Sequence, residues 1–166
     1  MGDPHDDIRI RPASVADALT LARLNRHVHA LHVDAAPTLF RDAPDEDIAA
    51  ALADMLARDG VHARLAERDD GEAIGYMIAV VETGAANAFA HARSRVLVDQ
   101  IAVAPEARRT GVGHRLVDAA AQIARAHGIA HLDAKVWMFN APSRDFFQAA
   151  GFMPRLQILT RDLAGA

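Results

Sequence analysis

The order of elements between residues 96 and 137 constrains the fold of this chain more than any other feature. An apolar, strand-like run covers residues 96–103, an amphipathic helical pattern follows over residues 113–127, and a second strand-like run covers residues 129–137. A strand, a helix and a strand in this order form a right-handed crossover between parallel strands of one sheet. We therefore expect an α/β fold built around this unit.

The segments on either side of this unit predict a mixed, mostly antiparallel twisted sheet. An Asp-Asp-Gly sequence at residues 69–71 separates two strand-like runs, which is a strong signal for an antiparallel hairpin. Ser14, with Asp17 three residues later, is typical of a helix start, and Asp45 begins a second helical pattern that stops at Gly60. The expected strands are residues 8–11, 61–67, 73–82, 96–103, 129–137 and 156–160, with a loop over residues 83–94 and a last short helix over residues 143–150.

The composition predicts a single domain spanning residues 1–166. Of the 166 residues 51% are hydrophobic, enough for one core, and no stretch approaches the roughly 18 apolar residues of a membrane span. Residues 1–7 carry three aspartates and no apolar run, so we expect a flexible tail there rather than a secretory signal. The absence of cysteine excludes a disulfide framework and a thiol nucleophile, and it fits a cytoplasmic protein without membrane partners.

A glycine-rich turn joins the first strand of the crossover to its helix and suits the binding of an anion. Arg108 and Arg109 precede Gly111 and Gly113, which open the helix. The first N–H groups of a helix lack intrahelical partners and lie at the positive end of its dipole, so they can hold a phosphate. The alternative is that the glycines only permit a tight loop and that the arginines are solvated.

Several other ligand classes are disfavoured by the sequence. Leu116 stands where a dinucleotide-binding fingerprint requires its third glycine, and the Gly-Lys-Ser/Thr sequence of a P-loop is absent. A net charge of -4 and an aromatic content of 5% also argue against nucleic acid, whose binding needs basic surfaces and stacking platforms. Small polar or cationic partners are expected instead.

Two motifs around the crossover resemble the GNAT N-acetyltransferase superfamily. Residues 108–113, Arg-Arg-Thr-Gly-Val-Gly, are similar to its R/Q-x-x-G-x-G/A signature and follow a strand ending in Ile-Ala-Val-Ala-Pro, as in that family. Asn140, Ser143, Phe147 and the Gly-Phe at residues 151–152 are similar to its N-x-x-A-x-x-x-Y-x-x-x-G-F segment. The resemblance implies helices on both faces of the sheet and a splayed pair of parallel strands, between which acetyl-coenzyme A binds.

The resemblance also implies which residues hold acetyl-CoA. The backbone of residues 101–103 would pair with the pantetheine arm and hold the acetyl carbonyl, and the N–H groups of residues 109–114 would hold the pyrophosphate. Asn140 would hydrogen-bond the cofactor, unless it serves only as a turn residue before Pro142. The implied cofactor-binding residues are Ile101, Ala102, Val103, Arg108, Arg109, Thr110, Gly111, Val112, Gly113, His114, Asn140, Ser143 and Phe147.

At the implied catalytic acid the chain departs from the family pattern. The family commonly uses a tyrosine seven residues after the asparagine to protonate the departing thiolate, but Phe147 occupies that position here. Tyr76, the only tyrosine, is a candidate replacement, or it packs in the core. An amine is mostly protonated at neutral pH, so a base or a water chain must remove its proton. Asp99 is our candidate base because it lies on the strand that would hold the acetyl group, with Glu82, His91 or a water relay as alternatives.

Other side chains bear on the acceptor or on packing. The first helix contains three histidines, His27, His29 and His32. We expect no metal site there, because only His29 and His32 lie one helical turn apart. The alternative is that they face the acceptor pocket, which the first two helices shape in the family. The acidic run at residues 42–47 either favours a cationic acceptor or is a solvated helix start. Core packing is expected for Trp137, Phe146 and Phe147.

These observations predict an acetyl-CoA-dependent N-acetyltransferase that acts on a primary amine of a small molecule or a peptide by direct attack in a ternary complex. The alternative is a non-catalytic acyl-CoA-binding or sensing module of the same fold, motivated by Phe147. A protein adapter without a cofactor would leave the glycine-rich turn unexplained. Residues 156–160 are expected at a sheet edge, where they could pair across a homodimer.

Overall fold

The computed structural model describes residues 8–161 and residue 163, and within them it contains a five-stranded mixed sheet. The strands are β1 (Ile8–Ala13), β2 (Val61–Arg68), β3 (Ala73–Gly84), β4 (Arg93–Val103) and β5 (Leu132–Ala134). Their order in the sheet is their order in the chain; β1 to β4 pair antiparallel, and β4 pairs parallel with β5. The predicted α/β fold with one parallel crossover is confirmed, whereas the predicted tail at residues 1–7 lies outside the described residues.

Within the described residues, four α-helices accompany the sheet. They are α1 (Ala18–Ala35), α2 (Asp45–Leu56), α3 (Val112–Ala126) and α4 (Ala141–Ala149). The predicted start of the first helix is confirmed, because the N–H of Ser14 donates to the carboxylate of Asp17 at 2.8 Å just before α1. In the part of the chain that the structure describes, every helix is too short or too polar to cross a lipid bilayer.

The helices cover both faces of the sheet, as the family resemblance implies. Successive residues of a strand point to opposite faces. A side chain at Gly75 would meet Val112 of α3 at 3.1 Å, whereas the next residue, Tyr76, contacts Asn25 of α1. The helices α1 and α3 therefore lie on opposite faces, with the core between each helix and the sheet.

Gly75 also brings α3 close to the backbone of the sheet. A Cβ atom at this position would lie 3.0 Å from the carbonyl oxygen of Ala102, 3.1 Å from Val112 and 3.4 Å from Leu116. The first two distances are tighter than ordinary van der Waals contact. The absence of a side chain thus lets the first turns of α3 pack directly on β3 and β4.

The hairpin between β3 and β4 is longer than predicted. The sequence predicts a loop over residues 83–94, but β3 continues to Gly84 and β4 starts at Arg93. Arg95 forms an ion pair with Glu82 on the facing strand, with an N–O distance of 2.6 Å. Cross-strand ion pairs of this kind stabilise paired strands that lack apolar residues. The ends of β3 and β4 therefore could not be predicted from the pattern of hydrophobic residues.

On the opposite side the sheet ends earlier than predicted. The sequence predicts a strand over residues 129–137, but β5 spans only Leu132–Ala134. The predicted final strand at residues 156–160 is wrong as well, because these residues have no regular secondary structure, and Leu156 and Ile158 are 84% and 82% exposed. A strand forms only where a neighbouring strand pairs with it, and within the described residues none pairs with this segment.

Candidate functional site

The parallel strands β4 and β5 part after three paired residues and leave a groove. Their register runs from Val96 with Leu132 to Val98 with Ala134, and the N–H of Lys135 makes a last bond to the carbonyl of Val98 at 3.1 Å. β4 continues to residue 103 without a neighbour on that side among the described residues. The splayed strand pair implied by the family resemblance is therefore present.

A β-bulge places Asp99 at the point where the two strands part. Ile78 pairs with Gln100 while Ala79 pairs with Val98, so Asp99 has no partner on β3. Its carboxylate accepts a hydrogen bond from the ammonium of Lys135 at 2.7 Å, and its side chain is 19% exposed. The bulge and this ion pair fix a partly accessible carboxylate at the inner end of the groove.

The loop that follows β4 has an unusual backbone. Arg109 adopts a φ of 63°, which is uncommon for a residue other than glycine, and Gly111 adopts a φ of 87°. The hydroxyl of Thr110 donates to the carbonyl of Ala107 at 2.7 Å, which holds the loop in this shape. Left-handed residues next to a helix start turn backbone amides toward a common point, a geometry that binds anions.

The start of α3 is open to an anion. Gly111 is its N-terminal cap residue, and within the described residues no side chain caps this helix end. The helix begins with the bond from the N–H of Arg115 to the carbonyl of Gly111 at 3.1 Å, which leaves the amides of the first turn outside that ladder. The guanidinium of Arg108 lies beside them and donates from Nε to the carbonyl of Val103 at 3.2 Å.

Gly113 is explained by packing rather than by ligand approach. A Cβ atom at this position would lie 2.9 Å from Cε2 of Phe146 on α4. Phe146 also packs edge-on against the ring of His114, with centroids 5.1 Å apart. Of the two glycines in the turn, Gly111 shapes the loop at the start of α3 and Gly113 lets α4 approach α3.

A family model described as the acetyltransferase (GNAT) family matches residues 26–152. The chain belongs to the GNAT acetyltransferase family. The matched region includes the groove, the loop after β4 and the start of α3, so the family assignment and the geometry concern the same part of the molecule. No curated protein matches the chain.

Solved structures agree on the fold of this GNAT protein. The tetramutant of the BH1408 protein from Bacillus halodurans superimposes with a TM-score of 0.88 at 20% identity, covering 93% of this chain and 99% of that one. The aminoglycoside 6'-N-acetyltransferase AAC(6')-Ig from Acinetobacter haemolyticus gives a TM-score of 0.72 at 19% identity, with 93% and 97% covered. The aminoglycoside N-acetyltransferase AAC(6')-Iy in complex with CoA gives 0.68 at 21% identity, with 98% and 99% covered.

The residues that the sequence assigned to the cofactor fall into three places in this GNAT fold. Residues 101–103 line the unpaired part of β4, and residues 108–114 form the loop and the start of α3. Asn140 and Ser143 lie together at the start of α4, where Oδ1 of Asn140 accepts from the N–H of Ser143 at 3.2 Å. Phe147 is only 4% exposed and packs against the other aromatic residues of α4 and its C-terminal turn.

Tyr76, the candidate acid, lies in the protein interior. It is 1% exposed, its hydroxyl accepts from Nδ2 of Asn25 at 2.7 Å, and it donates to Oε1 of Gln100 at 2.9 Å. Burial raises the pKa of this hydroxyl well above its ordinary value. This environment favours a structural role for Tyr76, because its hydroxyl links α1, β3 and β4 through one polar network.

The alternative bases lie away from the groove. Glu82 binds Arg95 before the start of the β4–β5 pairing, and His91 is exposed in the β3–β4 turn. Asp99 is the candidate base that the fold places beside the unpaired part of β4.

Sequence reasoning missed a cluster of aromatic rings beside the groove. Phe40, from the α1–α2 connection, packs edge-on against Trp137 at 5.1 Å, and Trp137 stacks on Phe139 at 5.7 Å. His32 joins Phe40 at 4.9 Å, and burial lowers its pKa. We call these four residues the aromatic cluster. The core position expected for Trp137 is wrong, since its side chain is 46% exposed. The cluster was not predictable because its members come from two distant parts of the sequence and follow no periodic pattern.

The acidic run and the histidines have local partners. Asp45 pairs with Arg26, and Asp47 pairs with Arg41 at 3.5 Å, so the acids of the first turn of α2 are partly neutralised and complement the helix dipole. Nε2 of His29 lies 2.8 Å from the carbonyl oxygen of Arg41. Across residues 8–161 and 163, no group of three or more His, Asp and Glu side chains is arranged to hold a metal ion.

Proposed function

We propose that this protein is an acetyl-CoA-dependent N-acetyltransferase, which transfers an acetyl group to a primary amine of a small molecule or a peptide by direct attack in a ternary complex. The observation that carries the proposal is the uncapped start of α3 directly beside the unpaired edge of β4. Bound acetyl-CoA would supply a thioester-activated acetyl group and a thiol leaving group. The chain would supply the groove, the anion site and the handling of the proton.

In this proposal two stretches of backbone hold the cofactor. The backbone groups of residues 101–103 that face the groove, rather than β3, would bind an extended arm as a further strand would, and an N–H there would polarise the acetyl carbonyl. The amides of residues 109–114 bind the pyrophosphate with help from the exposed side chains of Arg108 and Arg109. Asn140 already caps α4 through Oδ1, so only its Nδ2 group remains to reach a ligand.

Asp99 is proposed as the group that receives the proton of the amine. An alkylamine has a pKa near 10.4, so nearly all of it is protonated at neutral pH and must lose a proton before attack. The ion pair with Lys135 keeps the carboxylate in place at the inner end of the groove, and its partial exposure admits a water molecule between carboxylate and amine. The proton then leaves through water rather than through a buried relay.

The aromatic cluster supports a cationic or aromatic acceptor. It joins the α1–α2 connection to the chain that leaves β5, and Trp137 follows two residues after Lys135, whose N–H makes the last bond between β5 and β4. Exposed ring faces attract ammonium groups by cation–π interaction, while the rings contact the apolar part of the same molecule. We therefore propose an amine acceptor in which the ammonium group is close to an apolar body.

The proposal is tested by calorimetric titration of CoA into the Arg109→Asn variant. Asparagine tolerates the positive φ at this position, so the substitution removes a charge without straining the loop. We expect CoA affinity to fall by roughly tenfold, as for the loss of a charge-assisted hydrogen bond. Arg125→Asn, at the opposite end of the same helix, is the matched control and leaves affinity unchanged. Wild-type protein that binds no CoA at millimolar concentration contradicts the proposal.

A second candidate, a non-catalytic acyl-CoA-binding module, is favoured because neither Phe147, at the family's acid position, nor Tyr76, the candidate replacement, is placed to donate a proton. Phe147 has no proton to give, and Tyr76 is buried with its hydroxyl bonded to Gln100. A thiol-release assay with a panel of primary amines separates the two functions. The enzyme releases CoA with at least one amine, whereas the binding module binds CoA in the titration and releases none.

A further inference from the structure

The chain contains one lysine, and this lysine lies at the candidate site. Lysine and arginine together number 18, and all of them except Lys135 are arginines. An arginine would suit an ion pair at least as well, because its planar fork binds both oxygens of a carboxylate. A lysine differs in that it can lose its proton and then act as a nucleophile. The single lysine therefore indicates a role at this position that needs more than a positive charge.

The backbone fixes Lys135 at the point where β4 and β5 part. Its N–H donates to the carbonyl of Val98 at 3.1 Å, which is the last bond between the two strands. Its side chain is 66% exposed, and the ammonium donates to the carboxylate of Asp99 at 2.7 Å. The amine is thus held at the inner end of the groove, on the carboxylate proposed to receive the proton of an acceptor.

The same amine lies within reach of the backbone proposed to hold the acetyl carbonyl. A strand rises about 3.3 Å per residue, so Ile101 lies roughly 7 Å along β4 from Asp99. The stem of Lys135 is flexible and largely exposed, so it can swing from Asp99 toward Ile101 while its own backbone stays in place. Amine, candidate base and acetyl-binding backbone are therefore arranged as they would be for an external acceptor.

On the basis of the function proposed above, we propose that Lys135 is the protein's own acceptor. In the absence of another amine, its Nζ takes the acetyl group of acetyl-CoA bound in the groove of the same chain. Nζ loses one proton to Asp99, and its lone pair forms a bond to the carbonyl carbon. The carbon–sulfur bond of the thioester breaks, and its electron pair leaves with the sulfur. The second proton lost by the ammonium ends on that sulfur, and the proton on Asp99 passes to water.

The modification changes the charge at the inner end of the groove. An acetylated lysine is neutral, so Asp99 loses its ionic partner and is left free for the ammonium of an external acceptor. The product is a stable amide, and the sequence holds no second lysine, so each chain takes up one acetyl group at this kind of side chain. Lys135 is therefore expected to be modified once, when acetyl-CoA is present and an acceptor is not.

The first experiment is peptide mapping of the full chain after incubation with acetyl-CoA and no added amine. Trypsin does not cleave after acetyl-lysine, so modification of Lys135 leaves residues 126–144 as one peptide that is heavier by one acetyl group. The matched control is Lys135→Arg/Arg125→Lys, which carries its one lysine in the exposed last turn of α3. We expect the wild type to be modified at least roughly 100-fold faster than this control. Equal rates overturn the proposal.

The dependence of the rate on protein concentration distinguishes transfer within one chain from transfer between chains. A group held beside its reaction partner reacts at a rate that does not depend on protein concentration. The rate constant at saturating acetyl-CoA should therefore stay constant on dilution, and a fall in proportion to dilution overturns transfer within the chain. Asp99→Asn should slow the modification by roughly 100-fold or more, because it removes the group that receives the proton. An unchanged rate in this variant overturns the part given to Asp99.

Two further measurements separate this proposal from the proposed function. The modification persists after the cofactor is removed, so isoelectric focusing of dialysed wild-type protein should show the loss of one positive charge. A wild type that binds CoA in the titration and releases it with an external amine, but carries no acetyl group on Lys135, overturns self-acetylation and leaves the proposed enzyme intact. A wild type that binds no CoA contradicts both.

Discussion

At the scale of single residues, the Tyr76→Phe substitution tests whether the Tyr76 hydroxyl has a structural or a catalytic role. In Tyr76→Phe the hydroxyl is lost, and the amide of Asn25 keeps only its longer bond to Gln100, at 3.3 Å. We expect the free energy of unfolding to fall by about 1–2 kcal/mol, measured by urea denaturation. The rate of CoA release by the folded variant should change less than about twofold, whereas a general acid contributes roughly 100-fold or more.

A large loss of turnover in Tyr76→Phe, with CoA affinity and folded fraction unchanged, would assign the acid to Tyr76 and contradict the structural role. Phe40→Leu serves as a control for altered aromatic packing, since Phe40 lies outside the polar network. It should change the KM for the amine rather than the unfolding free energy.

The sequence predicts those residue roles that depend on near neighbours along the chain. Ser14 and Asp17 are three residues apart and form the hydrogen bond that such spacing implies, and Asn140, expected as a turn residue before Pro142, accepts from the N–H of Ser143 at the start of α4. The partner of Asp99 was not predictable, because Lys135 is 36 residues away and meets it only through the bulge. Contacts of this kind depend on how distant segments pack in the folded protein, and the local sequence pattern does not indicate that packing.

At the scale of elements, the packing of α4 against α3 makes a prediction about Gly113. Alanine is ordinarily favoured over glycine inside a helix by about 1 kcal/mol. At this position its Cβ would lie 2.9 Å from the ring of Phe146, so the clash outweighs the helical preference. We expect Gly113→Ala to lower the free energy of unfolding by about 1–3 kcal/mol in chemical denaturation.

A double variant tests whether Phe146 is the cause. In a Phe146→Ala background the ring is absent, so Gly113→Ala should raise the unfolding free energy instead of lowering it. The same sign in both backgrounds would show that the cost arises elsewhere, for example in the loop that precedes the helix.

Elements with strong periodic patterns were predictable, and those defined by their neighbours were not. The sequence predicts the apolar face of α3 and the hairpin turn at residues 69–71, and both are present in the structure. The length of β5 and the fate of residues 156–160 depend on what lies beside them. The pattern at 156–160 indicates a strand, but a strand needs a partner, and this copy provides none among its described residues.

At the scale of the whole molecule, acid stability should depend on Arg11. Its guanidinium donates to Glu67 of β2 at 2.9 Å and to Asp17 before α1 at 2.8 Å. These hydrogen bonds hold the pKa of both carboxyl groups below their ordinary values. As the pH falls past about 4 the unfolded chain therefore binds more protons than the folded one, and stability is lost from there downward.

Arg11→Met should be less stable than the wild type at neutral pH and should lose less on acidification, because Glu67 and Asp17 lose the largest cause of their lowered pKa values and keep only the smaller effects of Arg9 and of the Ser14 backbone. The measurement is urea denaturation at several points between about pH 7 and pH 3. Arg68→Met is the control, since its pair with Glu72 is exposed on both sides, and its profile should parallel that of the wild type. Parallel profiles for Arg11→Met and the wild type would contradict the assignment.

The fold class was predictable because two short motifs and the order of elements agree on it. The family match over residues 26–152 confirms the resemblance that those motifs carried. The groove itself follows from the early end of the β4–β5 pairing, which no pattern of apolar residues specifies. The sequence therefore indicated the region of the candidate site, and the groove in that region is visible only in the structure.

The absence of a β-carbon at one residue sets how closely the start of α3 lies on the sheet. Gly75 lies beneath the first turns of α3, where any β-carbon would press on Val112, Leu116 and the Ala102 carbonyl. Alanine at position 75 would require the Ala102 carbonyl of β4 or Val112 of α3 to shift by a few tenths of an ångström, and either shift changes the spacing between the helix and the strand. In the function proposed above, one ligand would bind to α3 at one end and to β4 at the other, so we expect position 75 to affect its affinity through the spacing of the two elements, although no ligand would touch it.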